Sequence, residues 1–257
     1  MVQRSAFMPQ QLKLLAVKID RVTMEETIDG VRSLVRSDER HGCYICVANV
    51  DSVMGCQRNG RLMSALNSSF LTVPDGMPLV WAGRFLGHPI RERVAGPDLM
   101  LELIRISAQE GFTHYFYGSS EEVLTMLEKK LRNRFPGIKI VGSFGPPFRV
   151  LTAEEDGEIV GTINAAAPDI LWVGLGAPKQ ELWMAEHHGL LKVPVMIGVG
   201  AAFDFHAGSK KRAPLWMQKS GLEWAWRLSQ EPGRLWRRYL IDDLPFFLHI
   251  LKQKYLG

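Results

Sequence analysis

The sequence has few of the features that mark secreted, membrane-spanning or cofactor-dependent proteins. Its three cysteines cannot all pair, which argues against a disulfide framework and favours a reducing compartment. No apolar run approaches the ~18 residues of a membrane-spanning helix, and the short apolar run near the N-terminus is broken by Lys18, so we expect no signal peptide. Neither G-x-G extends to G-x-G-x-x-G, and no D-x-D motif follows a strand. We therefore predict a cytoplasmic protein with neither a dinucleotide cofactor nor a bound metal.

Positive charge is concentrated near the C-terminus. From Ala207 onward the chain has ten Lys/Arg and four Asp/Glu, a net of +6, although the whole chain carries only +4. The same segment holds four of the seven tryptophans: Trp216, Trp224, Trp226 and Trp236. This shift in composition and Pro214 indicate a boundary near Gly208. We predict a core over residues 1–207 and a basic, Trp-rich helical appendage over residues 208–257.

Strand-like runs alternate with helical ones along the core. The strand-like runs, several of them apolar on both faces, are residues 43–49, 69–73, 113–117, 138–142, 169–174 and 194–199. Between them, residues 97–110 and 121–135 have helical periodicity. The alternation predicts an α/β fold, with a Rossmann-like, mostly parallel sheet and flanking helices.

Three loops that follow predicted strands have chemistry suited to a ligand, since ligands of such sheets bind beyond the carboxyl ends of the strands. In "YGSSEE", Ser119 and Glu122 have the spacing of a capping box. In "VGLGAPKQE", Gly174 and Gly176 permit close backbone approach, and Pro178 suits a first helical position. The third loop is "GVGAAFDF". Amides at a helix N-terminus bind phosphate well, but for any one of these loops an ordinary turn is the simpler interpretation.

A lone carboxylate, Asp75, lies between a predicted strand and an apolar helical run in "LTVPDGMPLVWAG". At the functional edge of a sheet, a carboxylate can act as a general base and take a proton from an attacking hydroxyl. Pro-Asp-Gly is also common turn chemistry. From the residues alone, Asp75 is therefore either a base or a turn residue.

Five stretches taken together resemble a known family. They are "PDGMPLVWAGRFLG", "RVAGPDLM", "VGLGAPKQELWM", "GVGAAFDFHAG" and "KRAPLWMQKSGLEWAWRLSQEPGRLWRRYL", and the likeness extends over about residues 16–248. The sequence is similar to the WecG/TagA/CpsF glycosyltransferases, also called glycosyltransferase family 26. The resemblance implies an inverting enzyme that moves a sugar, often N-acetylmannosamine, from a UDP-sugar to a lipid-pyrophosphate-linked saccharide. It also implies a role in making cell-surface polysaccharides at the inner face of the cytoplasmic membrane.

The resemblance also implies roles for individual residues. The acid of the family's P-D-G motif falls on Asp75, which favours the base over the turn. The substrate-binding candidates, from motif positions and from the Gly-rich loops, are Asn49, Arg93, Asp98, Gly174, Gly176, Gln180, Glu181 and Asp204. One position departs from the family: Val47 stands where a threonine is usual, which leaves the donor or acceptor sugar open.

Each of these candidates also has a plainer explanation. The guanidinium of Arg93 suits a pyrophosphate, but Arg93 could be an ordinary surface arginine. Asp98 could contact a sugar or cap a helix. Gln180 and Glu181 could bind uracil, ribose or sugar, or simply begin a helix. Asp204 has apolar neighbours and needs a partner, either ligand or backbone.

The basic appendage is expected to contact the acceptor and the membrane. Pro232 and Gly233 interrupt its helical pattern, so we predict separate helices over residues 216–231 and 234–240. The candidates for binding lipid or acceptor are Arg212, Arg227, Arg234, Arg237 and Arg238, the last three on one helical face. A solvated charged face and a nucleic-acid surface are the alternatives. Tryptophans among the arginines favour an anionic membrane surface, so we predict no nucleic acid.

Three functions compete. The leading hypothesis is an inverting glycosyltransferase, peripheral on the inner face of the bacterial cytoplasmic membrane. A second is an exopolysaccharide enzyme of the same fold that uses UDP-glucose or a UDP-uronic acid. A third is a non-catalytic scaffold of a polysaccharide assembly complex, against which Asp75 and the Gly-rich strand ends argue. An NAD(P) enzyme is disfavoured by the missing glycine fingerprint. The donor sugar, the acceptor glycan and the oligomeric state, a homo-oligomer included, stay open.

Overall fold

Eight strands and thirteen α-helices follow one another along residues 9–37 and 40–256, which the computed structural model describes. The strands are β1 (Gln11–Leu14), β2 (Val17–Asp20), β3 (Cys43–Ala48), β4 (Leu71–Pro74), β5 (Thr113–Gly118), β6 (Lys139–Phe144), β7 (Ile170–Gly174) and β8 (Val195–Gly198). The first helices are α1 (Met24–Val35), α2 (Val50–Arg58), α3 (Gly60–Ser68), α4 (Met77–Phe85), α5 (Gly96–Glu110), α6 (Glu121–Arg134), α7 (Ala153–Ala166), α8 (Lys179–His187) and α9 (Ala202–Ala207). They are followed by α10 (Leu215–Lys219), α11 (Glu223–Gln230), α12 (Pro232–Arg237), a π-helical turn (Arg238–Asp242) and α13 (Pro245–Leu256).

The strands β3 to β8 form one six-stranded parallel sheet in the order β4-β3-β8-β7-β5-β6. All six runs predicted as strands coincide with these strands to within two residues at either end. Their apolar residues on both faces are explained by the helices that flank the sheet, since β3, β4 and β8 are buried throughout. The predicted α/β, Rossmann-like fold is confirmed. Because β8, β7 and β5 are neighbours, the loops at their carboxyl ends lie along one edge of the sheet.

Internal contacts divide the chain into two compact units, and β3 contributes residues to both. The first unit contains described residues 9–27, 47–95 and 211–256, and the second contains described residues 28–37, 40–46 and 96–210. The prediction of a core over residues 1–207 with a separate appendage stays a prediction.

In the first unit, an antiparallel hairpin of β1 and β2 was not predicted from the sequence. Its inward side chains are all buried: Leu12, Leu14, Val17 and Ile19. Gln253 of α13 accepts a hydrogen bond from the N–H of Leu15 over 3.0 Å and donates one to the carbonyl of Lys13 over 2.8 Å. The last helix is therefore fixed to the turn of the first hairpin.

In the second unit, aromatic side chains fill the space between sheet and helices. Trp172 of β7 and Phe116 of β5 are fully buried, and Phe203 of α9 packs edge-on against Phe116 with 5.6 Å between ring centroids. His187 of α8 is 2.9 Å from a carboxylate oxygen of Asp156, which joins α8 to α7. These contacts position α8 and α9, the two helices that begin at the Gly-rich loops.

Two predicted helix starts differ from the structure. The cap of α6 is Ser120, whose Oγ accepts from the N–H of Val123 over 3.4 Å, and not Ser119. Ser119 has φ of 62° and belongs to the turn that precedes the cap. Pro178 precedes α8 by one residue instead of being its first residue.

The helices of the C-terminal segment are also shorter than predicted. A single helix over residues 216–231 is wrong, because the chain breaks at Gly221 and forms α10 and α11. Gly221 has φ of 72°, and a Cβ atom there would lie 2.5 Å from the ring of Trp81. The predicted break before the second helix is present, since α11 ends at Gln230, and Pro232 begins α12, as expected for a residue that lacks an N–H.

Candidate active site

Asp75 is held at the carboxyl end of β4 by backbone hydrogen bonds on either side. Its N–H donates to the carbonyl of Ala48 at the end of β3 over 2.7 Å, and the N–H of Val94 donates to the carbonyl of Pro74 over 2.8 Å. Gly76 follows with φ of 108°, a conformation that favours glycine, and lets the chain turn into α4. Asp75 is thus both a turn residue and a carboxylate at a strand end, and its turn geometry does not exclude a chemical role.

The environment of Asp75 makes its carboxylate a stronger base than that of an ordinary aspartate. Burial raises its pKa from 3.8 to about 6, because a desolvated carboxylate is less stable in its charged form. Arg93 opposes this shift in pKa, Glu223 adds to it, and Arg212 and Arg227 also oppose it. A carboxyl group with a pKa of about 6 is mostly ionised at neutral pH and still accepts a proton readily, as a general base must.

Arg93 belongs to a cluster of charged side chains beside Asp75. Its Nη1 donates to Oε2 of Glu223 over 2.9 Å, and its Nη2 donates to Oε1 of Gln218 over 3.4 Å. The other oxygen of Glu223 is 3.8 Å from Nε of Arg212. The Arg93, Glu223 and Arg212 side chains are 13%, 23% and 19% exposed. Partly buried charges of this kind interact more strongly than surface pairs do.

Asn49 lies next to Asp75 on the neighbouring strand end and caps α2. Its Oδ1 accepts from the N–H of Ser52 over 3.1 Å, and Oγ of Ser52 accepts from the N–H of Asn49 over 3.3 Å. This capping box occupies the side-chain oxygen of Asn49 and leaves its amide N–H groups able to donate to a ligand. Val47, two residues earlier, is buried on β3.

The arginines predicted to bind lipid or acceptor occupy different environments. Arg212 and Arg227 are partly buried and act electrostatically on Asp75. Arg234 and Arg237 are exposed on α12, where Arg234 forms an ion pair with Glu231 one turn earlier. The first pair therefore lies near enough to Asp75 to act on its charge, and the second pair is accessible from solvent.

Arg238 differs from its two neighbours in α12. It lies in the π-helical turn, 3.3 Å from a carboxylate oxygen of Asp51 on α2 and 3.8 Å from one of Asp243. Asp242, in the same turn, forms a second link to α2 by pairing with Arg58 over 2.7 Å. Arg238 therefore contributes to attaching the turn to α2, in addition to any part in binding lipid.

Exposed apolar side chains are concentrated in the C-terminal part of the first unit. Six of them are between 60% and 82% exposed: Leu215, Trp216, Leu244, Leu248, Tyr255 and Leu256. Among the helices of the described part of the chain, none is both long and apolar enough to cross a bilayer. Where exposed apolar side chains lie together, they mark sites of contact with a membrane or another molecule.

The glycines of the second unit are explained first by packing. A Cβ atom at Gly174 would lie 2.6 Å from the ring of Phe203, and one at Gly118 would lie 2.5 Å from the backbone of Gly174. The end of β5 can therefore approach β7 only with glycine at position 118, and Phe203 can pack against the end of β7 only with glycine at position 174. Gly176 has φ of 78° and open space around its Cα, so its backbone can approach a ligand closely.

Gln180 and Glu181 are buried where α8 begins. Oε1 of Gln180 accepts from the N–H of Gly200 over 3.0 Å, and its Nε2 donates to Oε1 of Glu181 over 2.9 Å. Gln180 thereby joins the loop after β7 to the loop after β8. A substitution of Gln180 would change the shape of both loops, whether or not the side chain contacts a ligand.

Asp204 and Asp98 lie near the same edge of the second unit. Asp204 accepts from Oγ of Ser209 over 3.1 Å and is 3.9 Å from Nζ of Lys210. Asp98 is in the first turn of α5, where Nε2 of His206 contacts the carbonyl of Pro97 over 2.9 Å. Among the described residues, no group of His, Cys, Asp and Glu is arranged to hold a metal ion.

The predicted site residues thus fall into two sets. Asp75, Asn49 and Arg93 belong to the first unit together with the five arginines of the C-terminal segment. Those in the second unit are Asp98, Gly174, Gly176, Gln180, Glu181 and Asp204. Two residues of the Asp75 cluster, Glu223 and Gln218, were not predicted. The one signal in the sequence is that Glu223 is among only four acidic residues in a basic segment.

Comparison with known proteins identifies the family of this chain. The family model described as "Glycosyl transferase WecG/TagA/CpsF family" matches residues 12–257. One curated relative, from Bacillus spizizenii, is 32% identical over 203 residues, which are 79% of this chain and 77% of the relative. Another, from Staphylococcus aureus strain MW2, is 28% identical over 239 residues, 93% of this chain and 91% of the relative. Both are named N-acetylglucosaminyldiphosphoundecaprenol N-acetyl-beta-D-mannosaminyltransferase.

Proposed function

Since the chain belongs to the WecG/TagA/CpsF glycosyltransferase family, it is a glycosyltransferase, and we propose that it transfers N-acetylmannosamine from UDP to a polyprenyl-diphosphate-linked N-acetylglucosamine. The names of two relatives that each align with most of this chain support this donor sugar and this acceptor. The observation that carries the mechanism is Asp75, a carboxylate with a pKa raised to about 6 at a strand end of the first unit.

In the proposed reaction, Asp75 accepts the proton of the acceptor hydroxyl. The hydroxyl oxygen forms a bond to the anomeric carbon while the bond from that carbon to the β-phosphate oxygen of UDP breaks. Attack from the face opposite the leaving group inverts the configuration at the anomeric carbon. UDP departs with the electron pair and the added negative charge, and Asp75 later releases its proton to solvent. Positioned acid–base catalysis of this kind contributes about 10²–10⁴-fold to a rate.

The charges around Asp75 suit a substrate that carries a diphosphate. Arg93, Arg212 and Arg227 all act electrostatically on Asp75, so they are close enough to meet a group held there. Guanidinium groups pair with phosphate oxygens through two parallel hydrogen bonds. We assign these arginines to the diphosphate of the lipid-linked acceptor, and Asn49 to a sugar hydroxyl.

The donor is proposed to bind at the loops of the second unit. Backbone N–H groups at Gly176 and at the start of α6 can donate to phosphate oxygens without metal. Gln180 holds two of these loops in place through Gly200. Gln180, Glu181, Asp98 and Asp204 are then available to contact nucleoside or sugar, directly or by shaping the loops.

UDP should therefore bind without a divalent metal. We expect calorimetry in EDTA to give the same UDP affinity as in excess Mg²⁺ or Mn²⁺, because backbone N–H groups of these loops can donate directly to the phosphate oxygens. A second test is Gly176→Ala, which places a side chain at φ of 78° and should weaken UDP binding. Binding that requires added metal would reject the metal-free site.

A donor screen tests the function itself. The purified chain is mixed with a short-chain lipid-diphosphate-linked N-acetylglucosamine and, in turn, with UDP-N-acetylmannosamine, UDP-N-acetylglucosamine, UDP-glucose and a UDP-uronic acid. We expect mass spectrometry to show a single added N-acetylhexosamine with the first donor. Val47→Thr restores the hydroxyl usual in the family. A higher preference for UDP-N-acetylmannosamine in this variant would show that Val47 weakens the recognition of this donor. Transfer from UDP-glucose or the uronic acid alone would establish the exopolysaccharide alternative.

We also propose that the chain works at the surface of the cytoplasmic membrane. A lipid-linked acceptor has its diphosphate at the bilayer surface, so the site must come to the lipid. The net charge of +6 from Ala207 onward and the exposed apolar side chains of α10, α13 and the Leu244 region support this location.

A further inference from the structure

The cluster beside Asp75 contains one carboxylate that the proposed reaction does not use. Glu223 is the first residue of α11 and carries a negative charge close to the negative charge of Asp75. Like charges so placed repel each other, and a partly desolvated carboxylate is costly unless it is well paired. A glutamate at this position therefore needs an explanation other than helix formation alone.

The geometry of Glu223 supplies that explanation. One oxygen accepts from Nη1 of Arg93 over 2.9 Å, and the other is 3.8 Å from Nε of Arg212. Gln218 supports the same arrangement, because its Oε1 accepts from Arg93 while its Nε2 donates to the carbonyl of Ala213 over 2.7 Å. Glu223 thus bridges two arginines that are 119 positions apart in the chain, counting from residue 93 to residue 212.

We propose that Glu223 is a positioning residue for the transfer reaction: by holding Arg93 and Arg212 it keeps both guanidinium groups beside Asp75 without letting either one neutralise its carboxylate. This inference rests on the proposed function, in which Asp75 is the base. A guanidinium that paired fully with Asp75 would stabilise its anion and make it a poor proton acceptor. Held by Glu223, the same guanidinium groups remain near enough to bind a diphosphate.

The charged groups that act on Asp75 come from three parts of the first unit. Arg93 lies in the segment after α4, Arg212 in the segment before α10, and Arg227 and Glu223 in α11. Three of these groups lower the pKa of Asp75, and Glu223 alone among them raises it. Removal of the Glu223 charge should consequently lower the pKa of Asp75, because the three arginines would act on it without the opposing charge of Glu223.

The test compares the pH dependence of kcat in the parent, Glu223→Gln and Glu223→Asp. Glutamine has nearly the same shape and keeps an acceptor for Arg93, but it removes the charge. We expect the acid limb of the Glu223→Gln profile to move to lower pH by about one unit, with kcat at pH 8 reduced about tenfold because the arginines are less well aligned. Glu223→Asp keeps the charge with a shorter reach, so its shift should be in the same direction and smaller.

A matched control is Glu26→Gln, which breaks another glutamate–arginine pair of the first unit. Glu26 pairs with Arg91 and is not among the groups that shift the pKa of Asp75. Its profile should coincide with that of the parent. A fall in kcat with an unmoved acid limb in both Glu223 variants would show that Glu223 serves only the fold, and would overturn the proposal.

A direct titration separates this inference from the proposed function. The carboxyl carbon of Asp75 can be followed by ¹³C NMR in the free protein, with its signal identified by its absence from Asp75→Asn. We expect the Asp75 titration to move to lower pH in Glu223→Gln, and in the same direction in Glu223→Asp should the first variant not fold. If the titration of Asp75 does not move in these variants, the proposed role of Glu223 is overturned, whatever their transfer activity. A moved titration with full activity in Asp75→Asn would instead contradict Asp75 as the base.

Discussion

Asp75→Asn is expected to slow sugar transfer by about 10²–10⁴-fold, the loss that follows removal of a positioned general base. Asparagine has almost the shape of aspartate and keeps the backbone hydrogen bond to Ala48, so the turn into α4 should survive. In the parent, kcat should rise with pH through about 6, as Asp75 loses its proton, and level off above that pH. In Asp75→Asn this acid limb should disappear along with most of the rate.

The stability of Asp75→Asn provides an internal check. The pKa of Asp75 is higher in the folded chain than its usual 3.8, so the folded state binds the proton more tightly than the unfolded state. The free energy of unfolding then falls as pH rises between about 4 and 6, and the ionised carboxylate costs up to about 3 kcal/mol at pH 7. Asp75→Asn should therefore unfold at a temperature equal to or above that of the parent at pH 7, measured by circular dichroism.

Asp29→Asn is a suitable control, since Asp29 is a surface carboxylate on α1 paired with Arg32. Its kcat and pH profile should match those of the parent. If a well-folded Asp75→Asn variant retains near-normal turnover, Asp75 is not the base.

The sheet could be predicted because its strands are apolar on both faces and each is bounded by turn residues. β3 and β8 are buried along their whole length, so "CYICVA" and "VMIG" have few other structures open to them. The β1–β2 hairpin was not predicted, and the reason lies in the residues of its turn. Its turn uses Leu15 and Ala16 at φ of 50° and 72°, where glycine or asparagine is usual. The alternation in "QLKL" was present, but no turn signal followed it.

The break between α10 and α11 depends on a contact that short-range patterns do not contain. Gly221 is placed against the ring of Trp81, 140 positions earlier in the chain. In the sequence, an isolated glycine within a helical pattern is as compatible with a continuous helix as with a break. Only the tertiary contact decides between the two.

The candidate site could also be predicted from the sequence only in part. Asp75 stands out because it is the one carboxylate at a junction of strand and helix, and its backbone geometry follows from Pro-Asp-Gly. The charges that surround Asp75 do not follow from the local sequence, because Arg93 and Glu223 are 130 positions apart. Both residues are ordinary in their local sequence, and only the folded chain brings their charges together beside Asp75. The raised pKa of Asp75 is thus a property of the tertiary structure.

Reversing the charge of Arg234 and Arg237 is expected to weaken binding to anionic vesicles by about 30- to 1000-fold. Each basic residue near an anionic surface contributes about 1 kcal/mol, and each introduced glutamate adds a repulsion of about the same size, so the double change costs roughly 2–4 kcal/mol. Both side chains are exposed on α12, so they are accessible to the lipid. Arg238 is left intact, because an acid there would face Asp51 and Asp243 and strain the π-helical turn.

The double variant Arg105→Glu/Arg132→Glu is the matched control for this experiment. It makes the same change in net charge at two exposed arginines of the second unit, each of which pairs with an acid three or four positions earlier, as Arg234 does. Co-sedimentation with phosphatidylglycerol vesicles should show the loss for Arg234→Glu/Arg237→Glu and little change for the control. UDP affinity should be unchanged in both, since the proposed nucleotide site is formed by the loops of the second unit.

The salt dependence of vesicle binding distinguishes the two forces proposed for the membrane contact. Electrostatic attraction is screened over about 8 Å at physiological ionic strength. The difference in vesicle affinity between the parent and Arg234→Glu/Arg237→Glu should therefore shrink as salt is raised. A residual binding that resists salt should remain in both, because Trp216, Leu248 and Tyr255 are exposed and apolar burial does not depend on counterions. If this double variant sediments with vesicles like the parent at low salt, α12 does not contact the membrane. An equal loss in the Arg105→Glu/Arg132→Glu control would mean that total charge, and not the position of the arginines on α12, governs binding.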